Sequence, residues 1–69
     1  MRNSIAVRRK RLKLSQAEIA ELTKVTRQTV NAIENNKYDP SLTLAFKLAD
    51  VLNTTVDTLF SYQAKEDEE

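Results

Sequence analysis

Arg27, Gln28, Thr29 and Asn31 fall within five consecutive residues, and their side chains suit hydrogen bonding rather than bond making. An Arg guanidinium is a rigid fork of donors that matches guanine O6 and N7, and a Gln amide joins a donor to an acceptor as adenine N6 and N7 require. Covalent chemistry has little to draw on here. The chain contains no Cys and no His, which removes most metal sites and the usual pairings of nucleophile with base, so neither metal nor cofactor is expected. Asp39, Asp50 and Asp57 are scattered along the chain without recognisable catalytic partners, and an enzyme is not expected. Any polar-faced helix could present Arg27, Gln28 and Asn31 to solvent alone. The frame that surrounds them therefore decides what they do.

That frame is small. With 69 residues the chain makes one domain, whose stability must come from compact helix packing or from a partner subunit. No Cys is present to staple it, which fits a reducing compartment, and no N-terminal apolar run is long enough for a signal peptide or a membrane span. A cytoplasmic location is expected. The net charge of +1 conceals an uneven distribution: residues 1–64 carry ten basic and six acidic side chains, and Glu66, Asp67, Glu68 and Glu69 close the chain. A basic body suits a polyanion, although a solvated helix face carries such charges too. The expected boundaries are a domain over residues 1–63 and an acidic, disordered tail over 64–69.

Five helices are expected, each announced by a Ser or Thr ahead of an apolar pattern of helical period. The first runs from about Ser4 to Leu12, with Ile5, Arg9 and Leu12 on one face. The second begins at Ser15, where Glu18 can complete a capping box, and ends near Thr23. Thr26 caps a third helix to about Asn35, with Val30 and Ile33 inward and Arg27, Gln28, Thr29 and Asn31 outside or at its exposed start. Asn36 stands where a left-handed residue must stop that helix. Ser41 caps a fourth helix to about Leu52, and Thr55 a short fifth one to about Phe60. Leu42, Ala45, Leu48, Ala49 and Leu52 form the inner face of helix four, leaving Leu44, Phe46 and Val51 on its flanks. No strand is expected.

Gln16 to Asn35 resembles a helix-turn-helix unit, with apolar Ile19, Val25, Val30 and Ile33 and a small Ala20 where two helices cross closely. Adding Arg9, Leu14-Ser15-Gln16, Val25-Thr26-Arg27-Gln28-Thr29-Val30, Ile33 to Tyr38 and Asp39-Pro40-Ser41-Leu42, the chain resembles the Cro/C1 (XRE) family over roughly residues 3 to 61. It is most similar there to short single-domain bacterial regulators without a separate ligand-binding domain, including the type that represses cytolysin operons. The resemblance implies an all-α, five-helix bundle of the lambda-repressor-like type that binds double-stranded operator DNA as a homodimer. By position it makes Arg27, Gln28 and Asn31 base readers with Thr29 near the groove wall. Gln16, Thr26, Asn35, Lys37 and Tyr38 become phosphate contacts, which position a protein without reading sequence. It also implies an ion pair between Arg9 and Glu34, consistent with both lying on inward faces where an unpaired charge is costly. Two departures stand out: Lys24 at a turn position that usually carries Gly, and Arg8 in place of a common apolar residue.

The apolar surplus near the C-terminal helices bears on oligomeric state. Leu44, Val51, Leu59, Phe60 and Tyr62 are candidates for a two-fold interface, against their plainer reading as core. The expected function is a sequence-specific transcriptional regulator, a repressor, that places helix three in the major groove. The alternative is a helical protein–protein interaction module, such as an antitoxin or adaptor, on the same scaffold.

Overall fold

The computed structural model describes residues 2–61, so Tyr62 and the tail expected over 64–69 lie outside the described residues. In chain order the elements are β1 (Arg2–Asn3), α1 (Ile5–Arg11), α2 (Gln16–Thr23), α3 (Arg27–Glu34), α4 (Leu42–Val51), α5 (Val56–Leu59) and β2 (Phe60–Ser61). The hydroxyls of Ser15, Thr26, Ser41 and Thr55 cap α2 to α5, each accepting a hydrogen bond from the backbone N–H three residues on. At Ser15 the capping box is complete, because the Glu18 carboxylate also accepts from the Ser15 N–H at 2.7 Å.

The start of α1 differs from expectation. Ser4 makes no side-chain cap. Asn3 Oδ1 accepts the Ile5 N–H at 3.0 Å instead, while the Ser4 hydroxyl accepts from Arg8 Nε at 2.9 Å. Ser4 is diverted because its backbone belongs to the sheet connection: its N–H donates to the Leu59 carbonyl at 2.9 Å. The sheet itself was not expected. β1 and β2 pair antiparallel, with Arg2 opposite Ser61 and Asn3 opposite Phe60, and two residues are too few for an alternating apolar pattern to announce a strand. Phe60 accordingly leaves the fifth helix and enters β2.

Four junctions share one device. Lys13, Lys24, Asn36 and Asn53 have positive φ, between 58° and 64°. In each case the next N–H reaches back five residues: Leu14 to Arg9, Val25 to Ala20, Lys37 to Ala32 and Thr54 to Ala49, at 2.9–3.0 Å. This is the Schellman arrangement, in which a left-handed residue lets orphan carbonyls at the helix end find donors. Asn adopts that conformation more readily through its short polar side chain, whereas Lys13 and Lys24 adopt it at a cost. The chain has no Gly to offer at any of the four.

The core joins Ile5 of α1, Ile19 and Ala20 of α2, Val30 and Ile33 of α3, the apolar stripe of α4, and Leu59 and Phe60. Two side chains depart from the expected inner faces: Leu12 is 40% exposed and Leu42 is 69% exposed, whereas Leu44, expected on a flank, is buried. Helix α4 packs against both α2 and α5, so it buries a face wider than one stripe, and periodicity alone does not choose its centre. Among the described residues no helix is long and apolar enough to cross a membrane.

Replacing Lys24 with Gly should stabilise the fold by about 0.5–1 kcal/mol, the left-handed penalty less the extra backbone entropy of Gly. Urea unfolding of the two proteins measures it, and equal or lower stability of the variant would show that the Lys24 conformation carries no such cost.

Candidate nucleic-acid interface

The N-terminal ends of α2 and α3 open onto one shallow cleft, lined by Gln16 from α2 and by Arg27, Gln28 and Asn31 from α3. Ala20 is buried in the core and Val25 packs against it, so the two helices approach closely and the turn between them stays short. Each N-terminus carries unsatisfied N–H groups and the positive end of a helix dipole, so the cleft favours an anionic ligand before any side chain contributes. Three of the four expected readers and one expected phosphate contact thus fall together.

These side chains are not equally free. Arg27 and Gln28 are exposed, and neither side chain is hydrogen-bonded to another group among the described residues. Asn31 is also exposed but engaged: its Nδ2 donates to Gln16 Oε1 at 3.5 Å, and its Oδ1 accepts from Asn35 Nδ2 at 3.3 Å. Asn35 Nδ2 donates in addition to the Asn31 backbone carbonyl at 2.9 Å. Thr29 is half-buried at the flank of α3, its hydroxyl 3.0 Å from that of the capping Thr26. Lys37 and exposed Tyr38 follow the C-terminal end of α3, so they stand about 12 Å along the helix from Arg27. They do not line the cleft formed at its start.

Behind the cleft lies the ion pair. Arg9 Nε donates to Glu34 Oε2 at 2.8 Å and Nη2 to Oε1 at 3.3 Å, while Nη1 donates to the Leu14 carbonyl at 3.0 Å. The Arg9 and Glu34 side chains are 13% and 6% exposed. In such a setting a fork-to-carboxylate pairing is directional and poorly screened. Glu34 Oε1 also accepts from Gln16 Nε2 at 3.0 Å. Sequence reasoning missed this third donor, because the 18-residue separation of Gln16 and Glu34 leaves no local periodic signal.

Comparisons with known proteins bear on the family and the fold. The helix-turn-helix family matches residues 5–59. An HTH-type transcriptional regulator of Methanocaldococcus jannaschii is 42% identical over 66 residues, covering 96% of this chain and 100% of that protein. Among solved structures, the SinR protein/SinI protein complex superposes with a TM-score of 0.75 at 27% identity, over 93% of this chain and 68% of that one. Hydroxypropylphosphonic acid epoxidase from S. wedmorenis superposes with a TM-score of 0.74 at 33% identity, over 83% of this chain but only 30% of its own. The chain belongs to the helix-turn-helix family of the Cro/C1 (XRE) type and is a transcriptional regulator with a helix-turn-helix DNA-binding domain. The epoxidase shares this unit within a chain more than three times as long as the matched part.

Glu34→Ala would leave the Arg9 guanidinium largely buried with only the Leu14 carbonyl for a partner. A loss on the order of 3 kcal/mol is expected, since stranding one member of a buried pair costs more than the pair contributes. Thermal unfolding tests it, and an unchanged Tm would remove the pair from the account of stability.

Proposed function

We propose that this regulator inserts α3 into the major groove of operator DNA as half of a homodimer and represses transcription by occupying the promoter, in the cytoplasm. The observation that carries the reading is the cleft itself: one guanidinium and three amides presented together at two positive helix ends, ahead of a rigid ion pair. Arg27 and Gln28 have the donor and acceptor sets that guanine and adenine edges require. Gln16, Thr26, Asn35, Lys37 and Tyr38 would hold phosphates, and Gln16 keeps one N–H for that purpose after bonding Glu34.

A dimer follows from scale. One eight-residue helix with three readers covers few base pairs, and two-fold pairing doubles the read length over a palindrome. For its surface we favour residues beside, rather than among, most of the first candidates. Leu44, Leu59 and Phe60 are buried in the core of the single chain, which leaves them little area to offer a partner. Leu42 and Phe46, one turn apart on α4 and 69% and 60% exposed, are the large apolar side chains left uncovered there. Half-buried Val56 adjoins both, and half-buried Val51 packs at the core edge. We place the two-fold contact on this α4–α5 face.

Selection from a random duplex pool should return two half-sites whose centres lie about 10–10.5 base pairs apart. Binding to the selected duplex no tighter than to unselected DNA would overturn the operator reading. Arg27→Ala should remove discrimination of about 1–3 kcal/mol at one base pair of each half-site, whereas an interaction module would keep its partner affinity. Phe46→Asp should shift the chain from dimer to monomer in sedimentation with its helical circular dichroism retained. A variant that sediments as the parent does would place the dimer contact elsewhere.

A further inference from the structure

The hydrogen bonds across the cleft have a polarity that leaves Asn31 one orientation. An ionised carboxylate only accepts, so Glu34 Oε1 takes the amino side of Gln16 at 3.0 Å. The Gln16 oxygen then faces away from Glu34, and it too only accepts; Asn31 meets it with Nδ2. At the far end a backbone carbonyl, again an acceptor only, takes Asn35 Nδ2 at 2.9 Å. The same Nδ2 reaches Asn31 Oδ1 at 3.3 Å. Two acceptor-only groups therefore anchor the chain of amides, and turning Asn31 over would set oxygen against oxygen and N–H against N–H.

We infer that Gln16 and Glu34 are positioning residues for readout: through them the Asn31 amide is held with its donor and acceptor in a fixed order along the groove. The inference rests on the major-groove reading above. After its two internal bonds, Asn31 retains one N–H and one oxygen lone pair, which is what adenine N7 and N6 require. An A·T pair presents acceptor then donor from the adenine side, so an amide of fixed direction distinguishes A·T from T·A as well as from G·C. The 3.5 Å link to Gln16 is the longest in the chain, so Asn31 can move onto a base edge while keeping its sense. Arg27 and Gln28 lack such internal bonds and adjust to the duplex. The ion pair behind the cleft thus contributes to specificity through Gln16, in addition to joining α1 and α3.

The test uses the full chain and the duplex selected by the parent protein. The base pair read by Asn31 is the one whose preference disappears in Asn31→Ala. Gln16→Met keeps the length of the side chain and removes its amide; Asn35→Ala loosens the chain of amides from its exposed end and serves if Gln16→Met folds poorly. Each should reduce the preference for A·T over T·A at the Asn31 pair about tenfold, with the Arg27 position unaffected and the helical circular dichroism retained. Gln16→Met combined with Asn31→Ala should discriminate there no worse than Asn31→Ala alone. Uniform weakening on all sequences, with each positional preference intact, would make Gln16 a phosphate contact only and overturn the inference. So would an Asn31→Ala protein that keeps every preference. Failure of the parent to select any duplex would instead overturn the operator reading on which the inference rests.

Discussion

One carboxylate ties together the parts of this domain that must not move relative to each other. Glu34, at the end of α3, receives the Arg9 fork from α1 and the Gln16 amide from the first turn of α2. Arg9 also holds the Leu14 carbonyl in the connection between α1 and α2. Three helices and a loop therefore converge on a single buried charge pair. A hydrophobic contact of equal area would stabilise without direction, whereas these bonds specify distance and angle at each partner. That directional constraint fixes the outward end of α3, because an angular error at its base becomes a displacement of hydrogen-bonding atoms at its exposed start.

The second constraint is the way the helices stop. Each of the first four helices ends in a left-handed residue, and none of these is Gly. The penalty at Lys13 and Lys24 is tolerated because the following N–H groups recover carbonyls that would otherwise be unsatisfied. Short turns result, and they fix the helix crossings. The N-terminal strand adds a tie at the same end of α3 as Glu34: Asn3 Nδ2 donates to the Ile33 carbonyl at 2.8 Å and to Asn36 Oδ1 at 3.3 Å. The bonds from α1, α2 and β1 thus all hold α3 through its C-terminal half, and its exposed start remains open.

The likeness to part of an epoxidase shows how far the scaffold and its use are separable. In this chain Ile19, Ala20, Val30 and Ile33 pack the helix-turn-helix; what a scaffold does depends on the residues set on its surface. In this chain those surface residues are hydrogen-bonding groups at two positive helix ends.

Much of the fold was legible in the chain because its signals are local. A hydroxyl followed by a helical apolar pattern marks a start, and Asn36 marks a stop; these depend on neighbours within one turn. The Thr26 cap and the helical period of Val30 and Ile33 placed Arg27, Gln28 and Asn31 on the outer face or at the exposed start of a helix. The family resemblance placed Arg9 opposite Glu34. What depended on the folded chain is of longer range. Diversion of Ser4 to Arg8 and Leu59, pairing of β1 with β2, burial of Leu44 rather than Leu42, and the bond from Gln16 to Glu34 all join or choose among residues by three-dimensional packing. Local periodicity states that a residue lies on a face; only packing states which face is covered, and by what.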